Sequence, residues 1–255
     1  MKKFFQIGNG FAFISVVIIN YLSNTGLMNN TTIGKVSDNY KSLFTPAGYT
    51  FAIWGIIYLF LFGFVVYQGR SLWSKSVKND DFIMHTGWWF IISCISNACW
   101  VLAWIYEYTG LSCIIILVLL FSLLKIVVNN RMQLEEATWV KTALFYWPFA
   151  IYSGWVTVAS IANISTYLIK IKWNGFGISQ LVWALLLIAI ATSINILVLH
   201  KRKMRAFVIV GVWALVGIAN ANKSNLDSIT TYTAFSAAIL LFILSVISNF
   251  KMSSK

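Results

Sequence analysis

Apolar residues in this chain do not alternate with polar ones. They gather into eight long runs of sixteen to twenty-odd residues, and nearly all charges sit in the gaps between runs. Ile178 to Leu199 is 22 residues with no Lys, Arg, Asp or Glu, and about 20 apolar residues suffice to cross a hydrocarbon core. The pattern predicts spans at Phe4 to Leu22, Tyr49 to Tyr67, Met84 to Tyr106, Leu111 to Val128, Leu144 to Ile161, Ile178 to Leu199, Ala206 to Ala221 and Tyr232 to Ile247. All are expected to be helices, because a segment in lipid must pair its backbone amides internally or within a closed barrel. A barrel would show alternating strands of about ten residues, and uninterrupted apolar runs exclude it. The expected fold class is therefore all-α, a polytopic membrane helical bundle. Ala206 to Ala221 is a short run, reaching about 24 Å at 1.5 Å per residue.

Composition agrees: 59% of residues are hydrophobic, 10% are charged and the mean hydropathy is +0.78. A soluble domain averages roughly 25% charged residues, so no separate soluble domain is expected. The net charge of +12 would suggest nucleic acid in a soluble protein, but here it orients the chain, and no nucleic-acid partner is expected. With the N-terminus in the cytoplasm, 14 Lys and Arg fall on the cytoplasmic side and 5 on the outer side, the bias of short cytoplasmic loops. The reading is a multi-pass protein of the cytoplasmic (inner) membrane with both termini cytoplasmic. The opening Met1 to Asn20 imitates a secretory signal, but no A-x-A-like site follows Tyr21, and it is expected to stay as the first helix.

Candidate chemistry is sparse. Cys94, Cys99 and Cys113 form no C-x-x-C pair and no spaced disulfide framework; His85 and His200 lack a second ligand at i+3 or i+4, so no metal site is expected. Asp38, Asp80, Asp81, Glu107, Glu135, Glu136 and Asp227 all lie outside the spans. Proton relays place ionisable groups inside the membrane, so proton pumping is disfavoured and no enzyme is expected. A retinal protein needs a mid-membrane Lys, and Lys125 stands only three residues from a helix end.

The spans instead carry aromatic residues. Of the 12 Trp, Trp73, Trp88, Trp89, Trp139 and Trp173 suit an interfacial belt. Trp54, Trp100, Trp155, Trp183 and Trp213 fall deeper, where an indole N–H must find a partner. As a group they suggest a cavity with flat aromatic walls, although each alone also fits helix packing. Asn97 and Asn163 are the polar partners. Asn97 and Trp100 share a helix face, and Trp104 extends that stripe by one turn; a buried Asn also serves as glue between helices. Pro46 opens the second span near its first turn, where its missing N–H costs nothing, and Pro148 falls near the start of the fifth, with the same logic or a small kink.

The run from Phe44 to Gln68 resembles the second-helix signature of the TspO/MBR family, the tryptophan-rich sensory proteins related to the translocator or peripheral benzodiazepine receptor. Pro46, Tyr49 and Phe51 match its first part, with Tyr in place of Trp, and Trp54 and Tyr58 its second. Asn97 and Trp100 resemble the third-helix pattern, with Ser93 where Gln would stand. Trp155, Val156, Ala159 and Asn163 match the fifth at the same spacing.

The resemblance covers Met1 to Lys170 and implies a five-helix core over residues 1–170, with residues 171–255 as three additional helices. There, Trp213 and Asn220 echo Trp155 and Asn163 with the spacing changed by one. It further implies a membrane receptor or carrier for porphyrin-type or sterol-like apolar ligands, with no cofactor beyond a tetrapyrrole ligand, contacts to lipid, and room for a homodimer. The ligand-binding residues it implies are Pro46, Tyr49, Phe51, Trp54, Tyr58, Asn97, Trp100, Trp104, Tyr152, Trp155 and Asn163, capped by the loop from Ser23 to Gly48. The alternative is a secondary transporter of a small amphipathic molecule, which would show matched Gly- or Pro-interrupted spans in its two halves; both prolines here lie in the first 150 residues.

Overall fold

The computed structural model describes residues 1–74, 81–223 and 228–253. Lys75, Lys78, Asp80, Asp227 and Lys255, which enter the charge pattern above, lie outside them. The described residues form helices and no strand, and eight of the helices are long and apolar enough to cross a membrane. In chain order the elements are α1 (Lys2–Asn24), α2 (Ile33–Asn39), a 3-10 turn (Gly48–Ala52), α3 (Ile53–Trp73), α4 (Phe82–Ile105), α5 (Thr109–Asn129), α6 (Trp139–Lys141), a π turn (Thr142–Tyr146), α7 (Trp147–Lys170), a 3-10 turn (Gly175–Gly177), α8 (Gln180–Arg202), α9 (Arg205–Asn222) and α10 (Ser228–Ser253). Each expected span falls on one of the eight, with the third running past the end of α4 by Tyr106 and the sixth starting two residues before α8. The short seventh is α9, whose 18 residues reach about 27 Å.

The boundaries follow local chemistry. Ser179 caps α8 by accepting from the Val182 N–H, and Lys203 closes it in a left-handed conformation with its N–H on Leu199 O, the usual way a helix satisfies its last carbonyls. Pro148 cannot offer an N–H to residue 144. The widened π turn just before it, continuous with α6 and α7, is where the missing bond is absorbed. A second irregularity lies at Gly87, where φ of 47° and ψ of −134° kink α4 in a conformation that favours glycine.

The chain groups into two compact units, Met1–Ile33 with Ile53–Ser153, and Gly34–Ala52 with Gly154–Lys255. The division falls inside α2 and α7. It follows packing, whereas the domain boundary expected at residue 170 follows the extent of a sequence resemblance.

In the first unit α4 packs on α5 and α1, and α1 on α3, over a core in which Phe64 meets the rings of Phe90, Phe145 and Phe149 at 4.8–5.7 Å. A polar seam ties α1 to α3: Gln6 Nε2 donates to Gln68 O (2.6 Å) and Ser71 Oγ (2.8 Å), and Asn9 Nδ2 donates to Gln68 Oε1 (2.8 Å). Gln6, Asn9 and Gln68 are all buried. Inside a membrane such amides have no water to turn to, and pairing between helices is their outlet.

In the second unit α9 is the central helix, packed on α8, α10 and the first 3-10 turn. Two glycines permit this. At Gly211 the Asn195 carboxamide of α8 lies where a Cβ would stand, and at Gly217 a Cβ would meet Thr50 Cγ2 at 2.9 Å. Outward residues such as Phe11, Leu59 and Ile114 of the first unit and Leu197, Ile209 and Ile239 of the second are exposed, as lipid-facing side chains are.

Candidate functional site

The residues singled out in the sequence divide between the two units. Those of the first form a cluster centred on Asn97, a fully buried α4 side chain. Its Oδ1 accepts from Asn20 Nδ2 of α1 at 2.9 Å, and its Nδ2 donates to Tyr152 OH of α7 at 2.5 Å and to Tyr58 OH of α3 at 3.3 Å. One carboxamide therefore joins four helices. Among the described residues Asn20 Oδ1 is buried with no hydrogen-bond partner, which leaves the node one acceptor to spare.

Rings surround this node. Trp54 stacks on Tyr58 (5.8 Å between centroids, 19° between planes), leans on Trp100 (5.8 Å, 32°) and meets the edge of Tyr152 (5.9 Å, 74°). Trp100 stacks in turn on Trp104 (5.8 Å, 25°), whose indole N–H donates to Ile33 O at 3.1 Å. Trp54, Trp100, Trp104 and Tyr152 are all buried. Spacings under 7 Å with stacked and edge-on geometry are those of attractive aromatic pairs. The rings touch one another, so a flat ligand at this place would lie between rings that now share a contact.

The second unit holds Pro46, Tyr49, Phe51, Trp155 and Asn163, and two ring pairs involve these residues. Phe51 and Trp155 meet edge to face at 5.9 Å, and Asn163 is buried. Tyr49 faces the edge of Trp213 (5.5 Å, 84°), and its hydroxyl accepts from Asn220 Nδ2 at 2.7 Å. The Trp213 indole N–H donates to Thr50 O at 3.0 Å, Ala47 N–H to Gly217 O at 3.0 Å, and Asn222 Nδ2 to Leu43 O at 2.9 Å. The end of the loop expected as a lid is thus bonded along its length to α9.

The deep and interfacial tryptophans sort in part as expected: Trp54, Trp100 and Trp155 are at most 6% exposed and Trp73, Trp88 and Trp139 at least 53%, whereas Trp89 and Trp173 of the one group and Trp183 and Trp213 of the other are all half-buried. Sequence reasoning missed Asn20. The signal was there: Gln6, Asn9, Asn20 and Ser23 share the buried face of α1 with Phe13 and Val16, and amides on the inward face of a span need partners. It also noted Trp213 and Asn220 without connecting them to Tyr49.

A model of the TSPO-like protein family matches residues 6–247, nearly the full 255-residue chain and both of its compact units. Neither a curated protein nor a solved structure matches it. With eight membrane-length helices and buried aromatic clusters beneath that match, the chain belongs to the family of TSPO-like proteins.

Proposed function

We propose that this protein is a membrane receptor or carrier that takes up a flat, apolar, porphyrin-type ligand at the Asn97 cluster, with no catalytic step of its own. The observation that carries the reading is the buried Asn97 node enclosed by Trp54, Tyr58, Trp100 and Tyr152, with Asn20 Oδ1 as a spare acceptor. Aromatic faces suit a conjugated ring, and an acceptor suits a ligand N–H. Binding would exchange ring-on-ring contacts for ring-on-ligand contacts of the same kind.

Porphyrin titration of the purified protein, read as quenching of tryptophan fluorescence, tests this. Saturable binding is expected. Trp54→Ala or Trp100→Ala should remove stacking of roughly 0.5–1.5 kcal/mol, a two- to tenfold loss of affinity, while Trp183→Ala in α8 should change it much less. Melting each variant first separates lost folding from lost binding. Equal affinity of wild type, Trp54→Ala and Trp100→Ala would remove the site from this cluster, and no saturable binding to the wild type would remove the receptor reading.

The proposed setting is the cytoplasmic membrane with both termini inside, supported by the distribution of basic residues, 14 against 5. A reporter fused after Lys255 should be active in the cytoplasm alone. Activity on the outer side would overturn the orientation.

A further inference from the structure

Within the second unit α7 and α8 diverge around a cavity of about 470 Å³, inside the size range of small-molecule sites. Its walls are aliphatic stripes, Ile161, Ile164 and Leu168 on α7 facing Ala184, Leu187 and Ile190 on α8. Along α8 the lining runs from Gln180 to Ile190, ten residue steps or about 15 Å of helix, so the slot is longer than a ring and suits a chain. Its polar groups gather toward the α7–α8 connection, at Asn174, Gly175 and Gln180, with the Ser42 and Ser165 hydroxyls beside the slot. Among the described residues no charged side chain lines it. Of the cations next to lining residues in sequence, Lys170 lies 5.4 Å over the ring of Tyr40 and Lys172 is exposed.

Hydrogen bonding selects the head group. Ser165 Oγ donates its one proton to Ser42 Oγ at 2.9 Å, and Ser42 Oγ also accepts from Phe44 N–H at 3.2 Å. What Ser165 offers a ligand is therefore a lone pair, which calls for a donor. The Trp183 N–H is held on Gly175 O at 3.0 Å, so its indole presents an apolar face to the slot. An anion would enter without a counter-charge, and the Asn174 and Gln180 carboxamides would offset only part of its desolvation cost. A hydroxyl on an aliphatic chain meets every one of these conditions.

We infer that the α7–α8 cavity is a binding site for an uncharged long-chain lipid alcohol of the monoacylglycerol type, with its chain along Ile161, Ile164, Leu187 and Ile190 and its hydroxyl on Ser165. The site stands apart from the Asn97 cluster in residues and in chemistry, so it holds or fails independently of the porphyrin reading.

The test uses the full chain in phosphatidylcholine nanodiscs containing a rising mole fraction of a monoacylglycerol brominated near mid-chain, since bromine quenches tryptophan on contact. Bromine-labelled fatty acid and phosphatidylcholine serve as comparisons. Saturable quenching by the monoacylglycerol alone is expected, reduced in Trp183→Phe and mostly lost only when Trp173→Phe is added, since both rings line the slot 5.3 Å apart. Ser165→Ala should weaken binding about two- to tenfold, as the loss of one hydrogen bond predicts. Ile164→Phe, at a position 39% exposed where a larger ring does not strain the core, should fill the slot and abolish saturation while leaving porphyrin binding unchanged. Quenching that rises without saturation, or equally for all three lipids, would mean ordinary lipid contact and overturn the site. So would unchanged saturation in Ile164→Phe. Saturable binding of the fatty acid in preference to the alcohol would overturn the hydroxyl selection.

Discussion

The Asn97 cluster and the contact between α9 and residues 42–50 use the same residue types, Trp, Tyr and Asn, toward different ends. At Asn97 the bonds run between side chains, from Asn20, Tyr58 and Tyr152 to one carboxamide. At α9 most of them end on backbone: Trp213 on Thr50 O, Asn222 on Leu43 O, and Ala47 N–H on Gly217 O. Side-chain nodes fix rings relative to one another and can reopen by rotamer changes. Backbone anchors fix a segment of chain, and the segment carries Pro46, Tyr49 and Phe51 with it. The first arrangement suits a place where a ligand inserts; the second suits a seam.

Gly217→Val should give the largest effect, because its side chain would collide with Thr50 and prise residues 47–50 off α9. Overpacking of this kind costs about 1–3 kcal/mol. It should show as a lower melting temperature in detergent and new protease cleavage between residues 42 and 52. An unchanged melt and cleavage pattern would mean that α9 does not anchor the loop.

Asn97→Leu probes the other side of the comparison. It leaves Asn20 Nδ2 with its remaining bond to Val16 O and deprives the Tyr152 hydroxyl of its donor, with an expected loss of about 1–2 kcal/mol, since hydrogen bonds between membrane helices average roughly 0.6 kcal/mol each. If the node also contacts ligand, affinity should fall more for porphyrins with free N–H groups than for purely apolar aromatic probes. An equal fall for both would reduce Asn97 to helix glue.

Tyr49→Phe is the mildest test. The Tyr49–Asn220 bond is exposed, and its removal should cost no more than about 0.5–1 kcal/mol, with the Tyr49–Trp213 ring contact retained. A loss as large as that of Gly217→Val would show that the hydroxyl, rather than the backbone bonds, holds the segment.

The eight spans could be read from hydropathy because a bilayer imposes one rule on every residue of a spanning segment: amides paired internally, charges kept out. Asn97, Trp100 and Trp104 were legible as one site for a similar reason, since residues three and four apart share a helix face whatever the helix packs against. Asn20 and Asn97 are 77 positions apart and Tyr49 and Asn220 are 171 apart; no local pattern connects them. Which helix faces which in a membrane is decided by close approach at residues such as Gly211 and Gly217 and by the pairing of scattered amides. The sequence by itself therefore determined the elements, their membrane setting and the aromatic and amide residues available. Only the tertiary structure decided that Asn97 joins four helices, that residues 42–50 belong with α9, and that an uncharged slot opens between α7 and α8, because each depends on surfaces brought together from distant parts of the chain.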